Sequence, residues 1–247
     1  MVEQGDGASP RALARLAGAL YLVIIAIGLW GELFVRGKLV VEGDAAATAA
    51  NLRSQESLWR WAIAGELVLL TCAIVVLWIL YVLLRPANRD LVTLAVLFNL
   101  VAIAVEAATT LRLVDALFPL GDRPYLAALE PAQRYALTNL ALRSHAYGFG
   151  ISLFFFGGFL LVAGYLVYIS GYLPKALGVL YQLAGVGYLA NSLVLIVAPA
   201  FADLAFLVIL PVAFVGELAL AVWLLFKGVD VAAWQRAAAR QLSRQPD

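Results

Sequence analysis

Four glutamates lie inside or at the ends of long apolar segments: Glu32, Glu66, Glu106 and Glu217. Three of them belong to one tripeptide, Gly-Glu-Leu, which occurs at residues 31–33, 65–67 and 216–218. A charged side chain at the centre of a membrane helix costs about 2.5–3.5 kcal/mol on insertion scales, so such residues face the protein interior or a water-filled cavity. Carboxyl groups in these segments therefore predict a functional site.

Other polar side chains share helical faces with these carboxyl groups or with aromatic residues. Asn99 lies seven residues before Glu106 and Thr110 four residues after it, which places all three on one helical face. A second stripe comprises His145, Phe149, Ser152 and Phe156. We expect these faces to enclose a polar cavity. The candidate ligand-binding or proton-relay residues are Glu66, Glu106, Glu217, Asn99, Asn191 and Arg143.

Three kinds of chemistry fit these residue types. Carboxylates and a histidine can bind zinc or another transition metal, with His145, Glu66 and Glu106 as the metal candidates. Intramembrane carboxyl groups can also relay protons, or they can bind a cationic ligand. Structural roles stay open, because Glu106 can pair with Arg112 or Arg143 and His145 can bond to the backbone.

Several sharper functions are excluded. The single histidine excludes a bis-histidine haem and an all-histidine zinc site within one chain. No lysine lies inside an apolar segment, so no retinal Schiff base is expected. There is no phosphate-binding Walker loop and no Gly-x-Ser-x-Gly motif. A divalent metal is left open, no catalytic residue is assigned, and whether the chain is an enzyme is undetermined.

The elements that position these residues are membrane helices. Of the 247 residues 64% are hydrophobic and 13% are charged, against about 45–50% and 25% in soluble domains. A membrane-spanning helix needs about 20 mostly apolar residues. We predict an all-α polytopic membrane protein, a six-transmembrane-helix bundle forming one domain over residues 1–247. The predicted spans are 12–34, 59–84, 91–114, 146–169, 175–198 and 204–226.

Short helices are predicted outside the spans. Asp44 can cap a helix over residues 45–53, and Pro131 can start a helix over 132–143 that continues into the fourth span. The tail, residues 227–247, has an apolar stripe beside basic residues, typical of a helix lying on an anionic leaflet. Its two sides comprise Val231, Trp234, Ala238 and Leu242 on one and Arg236, Arg240 and Arg244 on the other.

Basic residues indicate the orientation. They cluster before the first span, in the short second and fourth loops, and after the last span, and basic residues in short loops mark the cytoplasmic side. We therefore predict a multi-pass protein of the bacterial cytoplasmic (inner) membrane with cytoplasmic N- and C-termini. Tryptophans that would mark the outer interface are Trp30, Trp59 and Trp61.

A weak internal similarity relates the first and fifth spans. Gly18 and Tyr21 have the same spacing as Gly178 and Tyr181, and the span that follows contains Gly-Glu-Leu in each case. A parallel repeat of the kind found in transporters would explain the pattern, and so would chance resemblance between glycine- and leucine-rich helices.

The chain also resembles a known family over nearly its whole length. The matching stretches are 14–21, 43–51, 80–89, 142–149, 170–174 and 216–218, and the most specific is Arg143-Ser-His145-Ala-Tyr147-Gly148-Phe149. They are similar to an uncharacterised bacterial family of six-helix integral membrane proteins that is known only as a domain of unknown function. The resemblance implies the architecture and the bacterial inner membrane, and it supplies no catalytic role.

Together these features predict an outward-facing intramembrane polar cavity that binds or transports a small molecule or ion, with proton coupling as one option. An intramembrane metal-dependent enzyme acting on a lipid is the first alternative, and a regulatory or assembly partner without a ligand is the second. The expected partners are membrane lipids and a small ligand, and a homo-oligomer is left open. The net charge of +1 gives no field that would attract nucleic acid.

Overall fold

The computed structural model describes residues 9–243, apart from the side chain of Leu242. Arg244, which the sequence places on the basic side of the tail, lies outside these residues. The regular structure of the described chain is all helical, and these residues contain no strand. Its helices are α1 (Pro10–Leu29, continued by a π-helix Trp30–Arg36 and a last turn Gly37–Leu39), α2 (Ala45–Ser54), α3 (Glu56–Leu84), α4 (Arg89–Asp115), α5 (Pro131–Ser170), α6 (Lys175–Val197), α7 (Ala202–Phe226) and α8 (Val231–Leu242).

Six helices of the described chain are long and apolar enough to cross a membrane, namely α1 and α3 to α7. The predicted all-α, multi-pass, six-helix fold is therefore confirmed. The predicted helix start at Asp44 is confirmed as well, since the Asp44 carboxylate accepts a hydrogen bond from the Ala47 N–H (2.8 Å). The Ser9 hydroxyl caps α1 in the same way and accepts a hydrogen bond from the Ala12 N–H (3.2 Å). These bonds satisfy backbone donors that have no partner inside the helix.

The two ends of the bundle differ. The terminal face carries both described chain ends and the turns between α3 and α4 and between α5 and α6. The loop face carries the longer connections over residues 40–55 and 116–130 and the short one between α6 and α7. Helix α5 begins at Pro131, as predicted, and continues for 40 residues without a break. At about 1.5 Å per residue it is longer than the hydrocarbon core, about 30 Å, and so it extends into the loop face.

The six membrane helices form a closed ring. Each one packs against its neighbours along the chain, and α1 also packs against α7, which closes the ring. Small residues allow close contact at several points, as is usual between membrane helices. A Cβ atom added to Gly164 would lie 2.7 Å from the Gly178 carbonyl oxygen, and one added to Gly157 would lie 2.9 Å from the Gly185 carbonyl oxygen. Helices α5 and α6 therefore touch backbone to backbone.

The loops build a second apolar core on the loop face, centred on Trp59. Its side chain is 1% exposed, and its indole N–H donates a hydrogen bond to the Leu113 carbonyl (2.9 Å). The interpretation of Trp59 as an interface anchor was therefore wrong, because α2 and the turn after α4 cover it. Trp61, two residues further on, is 72% exposed.

Helix α8 packs against the terminal face. The Leu83 carbonyl accepts hydrogen bonds from the Tyr172 hydroxyl (2.8 Å) and from the Trp234 indole N–H (2.9 Å). Ala237 is buried against the bundle, whereas Arg236 and Arg240 are exposed. The predicted amphipathic tail helix is thus present, and its apolar side contacts protein.

The similarity between the first and fifth spans has a partial structural counterpart. Gly18 abuts the backbone of α7, and Gly178 abuts the backbone of α5, so each glycine contacts the membrane helix that precedes its own in the ring. The hydroxyls of Tyr21 and Tyr181 then meet at 2.9 Å. The two Gly-x-x-Tyr motifs therefore serve the same packing purpose.

The two Gly-Glu-Leu motifs do not share this equivalence. Glu66 lies eighteen residues before the end of α3, and Glu217 lies nine residues before the end of α7. Both helices end at the terminal face, so Glu217 is closer to that face by roughly 13 Å. The two carboxyl groups consequently occupy different levels of the bundle.

Candidate functional site

A cavity of about 510 Å³ lies inside the ring, and all six membrane helices contribute to its wall. Ligand pockets typically measure about 300–1,000 Å³, so the volume suits a small molecule. Four of the sequence-predicted candidates line it: Glu66, Asn99, Glu106 and Glu217. They come from α3, α4 and α7, which the sequence alone could not bring together.

An arginine holds two carboxylates at the level of the cavity nearer the loop face. The Arg36 Nε–H donates to Glu32 (2.7 Å), and its Nη1–H donates to Glu66 (2.8 Å). The side chains of Arg36 and Glu66 are 17% and 7% exposed, so this ion pair is largely withdrawn from solvent. Sequence reasoning missed Arg36, because the first span was predicted to end at residue 34.

The π-helix explains why Arg36 reaches the cavity. The helix continues to Leu39 through the π-helical segment Trp30–Arg36 instead of ending at residue 34. Short π-helical segments inside helices often occur at functional sites. Here the segment aligns Glu32 and Arg36 on the cavity side and aims the guanidinium at α3. The spacing of four residues between opposite charges was the available signal.

Glu106 has no arginine partner among the described residues. Its Oε2 accepts a hydrogen bond from the Ser152 hydroxyl (2.7 Å), which links α4 to α5. The predicted alternatives do not form, since Arg112 donates to Asp115 (2.9 Å) and Arg143 is exposed. The second oxygen of Glu106, Oε1, accepts no hydrogen bond from a described side chain.

Tyrosines surround Glu217 at the deeper level. The Tyr188 hydroxyl donates to Oε1 (2.5 Å) and the Tyr21 hydroxyl to Oε2 (2.7 Å). Tyr181 bonds to Tyr21 and thereby joins the same network. Glu217 is thus satisfied by neutral donors from α1 and α6. The Gly-x-x-Tyr stripes noted in the sequence were the signal that pointed to these partners.

Aromatic side chains from α5 line the wall beside and between the two levels. Phe149, Phe156 and Phe159 all line the cavity, and the Phe156 ring lies 5.7 Å from that of Tyr188. The predicted stripe of Phe149, Ser152 and Phe156 therefore faces inward. The rest of the wall is largely aliphatic. The level of Arg36 and Glu66 is therefore separated from the level of Glu217 by an apolar, partly aromatic stretch of the cavity.

Asn99 is the one cavity-lining amide among the described residues. It is 7% exposed, and its side chain makes no hydrogen bond to another described residue. No polar side-chain atom among the described residues is both fully buried and without a hydrogen-bond partner, so the Asn99 amide is accessible from the cavity, where water or a ligand can bond to it. Asn99 lies two helical turns from Glu106 on the same face of α4, so its amide opens into the space below that carboxyl group.

The other predicted residues lie outside the cavity wall. His145 is buried, and its Nδ1 lies 3.2 Å from the Thr109 carbonyl, which is the backbone role considered above. Asn191 is buried on α6 away from the cavity, and Arg143 is exposed. Across residues 9–243, no three His, Cys, Asp or Glu side chains are grouped so that they could hold a metal ion. The described residues therefore provide no support for a metal site formed by His145, Glu66 and Glu106.

The fold and the cavity define a multi-pass α-helical membrane protein with an intramembrane cavity lined by carboxyl groups. The chain belongs to the family described as Domain of unknown function (DUF4386), which matches residues 16–228. This match confirms the resemblance drawn from the sequence stretches. Comparison with curated proteins and with solved structures found no match.

Proposed function

We propose that the protein binds a small molecule or ion in the cavity between its six membrane helices, as a binding or transport protein. The observation that carries the proposal is the cavity itself, about 510 Å³ in volume, with carboxyl groups at two levels and an unpartnered amide at Asn99. Ionisable groups placed inside a membrane bundle are expensive, and they mark substrate or ion pathways in membrane proteins.

Two features fit transport with proton coupling. Glu106 and Glu217 lie inside the membrane bundle and accept hydrogen bonds from hydroxyl groups. Carboxyl groups of this kind form proton relays in pumps and transporters. The two levels also give a solute or proton two successive positions along the bundle.

We further propose that the protein resides in the bacterial inner membrane with both termini in the cytoplasm. The loop face, and the end of the cavity that holds Arg36, would then point outward. Thiol labelling of intact cells tests this orientation, with single cysteines placed at the exposed positions Ser57 and Asp90 after Cys72→Ser. Ser57→Cys should react with an impermeant maleimide and Asp90→Cys should not, and the reverse pattern would overturn the orientation.

Ligand binding can be tested without knowing the ligand. Purified protein would be screened by thermal unfolding against a panel of amino acids, sugars, carboxylic acids, organic ammonium ions, organic anions and inorganic ions. Two variants with a filled cavity would be compared with the wild type. Ala102→Phe on α4 and Ala73→Phe on α3 each add an aromatic ring at a cavity-lining position.

The proposal predicts that at least one solute class raises the unfolding temperature of the wild type and leaves both filled variants unchanged. Size-exclusion chromatography and circular dichroism would show that the variants are folded. If no class stabilises the wild type, or if the filled variants respond as the wild type does, the cavity is not a ligand site.

A further inference from the structure

Resting on the proposed function, we infer that the ligand is an organic cation with an apolar body, and that its positive charge lies beside Glu106 between aromatic side chains of α5. Three features of the cavity carry the inference: its charge balance, the aromatic wall, and the free hydrogen-bonding capacity of Glu106 and Asn99.

The charge balance of the wall disfavours an anion. Four carboxyl groups line the cavity, and Arg36 is the one basic side chain among the described lining residues. Its guanidinium already donates to Glu32 and Glu66. An anionic ligand would have to compete with both carboxylates for that arginine. A cationic ligand would instead find more carboxyl groups than basic groups in the wall.

Glu106 is the carboxyl group that is free to receive the charge. Glu66 is ion-paired, and Glu217 has a hydroxyl donor on each oxygen. Glu106 has a single side-chain donor, Ser152, on Oε2. Its Oε1 lacks a donor among the described residues. Glu66 Oε2 also lacks one, but the charge of that carboxylate is already matched by Arg36, so Glu106 is the buried carboxyl group with both a free oxygen and no ion pair among the described residues.

The aromatic wall lies next to this carboxyl group. Phe149 and Phe156 flank Ser152 on the inward stripe of α5, one turn before and one turn after it. A cation over an aromatic face is attracted by the ring quadrupole, most strongly when both are withdrawn from water, and quaternary ammonium groups are recognised in this way. The carboxyl group and the two rings thus form a cation site, and the aliphatic wall beyond them accommodates an apolar body.

Asn99 adds a second polar group that is accessible from this space. Its side chain makes no hydrogen bond to another described residue, and its amide opens into the cavity below Glu106. An ammonium N–H that bonds to the amide oxygen would satisfy it. A purely apolar guest, such as an acyl chain, would leave the amide unpaired.

Binding of tetraphenylphosphonium tests the charge preference. Labelled tetraphenylphosphonium would be titrated against the protein in phosphatidylcholine nanodiscs, with empty nanodiscs as the blank. Tetraphenylborate has nearly the same shape and the opposite charge, so it is titrated separately under the same conditions. We expect saturable binding of the cation and no binding of tetraphenylborate above the empty-nanodisc blank.

Two pairs of variants locate the charge. Glu106→Gln should weaken binding about tenfold or more, and Glu56→Gln, on the exposed loop face, should leave it unchanged. Phe156→Leu should weaken binding about threefold or more, and Phe154→Leu, on an exposed position of the same helix, should not. If Glu106→Gln does not fold, the comparison of Phe156→Leu with Phe154→Leu still tests whether the cation binds beside the aromatic wall.

The outcomes separate this inference from the proposed function. If only neutral or anionic solutes stabilise the wild type, and Ala102→Phe and Ala73→Phe abolish that effect, the cavity is a ligand site and the cation inference is wrong. If no solute class and no cation binds, both fail. Binding of tetraphenylphosphonium that is unchanged by Glu106→Gln and by Phe156→Leu also overturns the inference.

Discussion

The guanidinium of Arg36 lies 2.8 Å from the carboxylate of Glu66, although thirty residues separate them along the chain. This ion pair joins the π-helical end of α1 to the third turn of α3. It places one positive and one negative charge in the cavity near the loop face. Loss of one partner would leave the other charged and buried, which is costly inside a protein.

Arg36→Met should therefore lower the free energy of unfolding by about 3–5 kcal/mol. The double variant Arg36→Met/Glu66→Gln should recover part of this loss, because the buried charge is removed with its partner. Arg60→Met breaks an exposed pair with Glu56 and should change stability by no more than about 1 kcal/mol. Unfolding in mixed micelles of increasing dodecyl sulfate content measures all three. Equal effects at Arg36 and Arg60 would contradict the structural role given to Arg36.

The tyrosines around Glu217 should differ in their contributions. Tyr188→Phe removes a direct donor to the buried carboxyl group and should destabilise the fold by about 1–3 kcal/mol. Tyr181→Phe removes only the bond to Tyr21 and should cost about 1 kcal/mol. The same unfolding assay compares them. A larger effect for Tyr181→Phe would show that the network is not centred on Glu217.

Two glycines of α1 offer a matched test of the ring. An added Cβ at Gly18 would collide with the backbone of α7 near Ala221 and Leu225, whereas at Gly28 it would meet Leu69 Cδ1 at an ordinary 3.6 Å. Gly18→Ala should therefore destabilise by about 1–3 kcal/mol through overpacking. Gly28→Ala should be neutral or stabilising, since alanine is favoured over glycine in a helix by about 1 kcal/mol. A neutral Gly18→Ala would mean that α1 and α7 do not close the ring as described.

Asn99 should discriminate between kinds of cation. Asn99→Ala removes the amide acceptor and should weaken the binding of benzylammonium, which has N–H donors, by about threefold to tenfold. It should leave the binding of tetraphenylphosphonium nearly unchanged, because that ion donates no hydrogen bond. Isothermal titration of both cations against the two proteins gives the comparison. An equal loss for both ions would indicate that Asn99 shapes the cavity and does not contact the ligand.

The architecture was predictable because its determinants are local. Length and hydropathy identify the six spans, and side chains such as Ser9 and Asp44 mark helix starts within a few residues of their partners. The inward stripe of Phe149, Ser152 and Phe156 follows from helical periodicity alone. These parts of the prediction needed no knowledge of which helices are neighbours.

The partners of the carboxyl groups were not predictable, because they depend on how the ring closes. Tyr21 and Glu217 are 196 residues apart and meet only because α1 packs against α7. Arg36 was missed for another reason, since no composition rule predicts that a helix continues through a π-helical segment. Trp59 was misassigned because burial under the loops leaves no local signature.

Protection of a cysteine in the cavity tests whether an organic cation binds inside the six-helix ring. Ala102 lies between Asn99 and Glu106 on the cavity face of α4, and Ser57 is exposed on the loop face. In a Cys72→Ser background, Ala102→Cys and Ser57→Cys would be modified by a small methanethiosulfonate reagent with and without tetraphenylphosphonium or tetraphenylborate. We expect tetraphenylphosphonium alone to slow the reaction at position 102, and neither ion to affect position 57. No protection at position 102, or equal protection by the two ions, would contradict an organic cation site inside the six-helix ring.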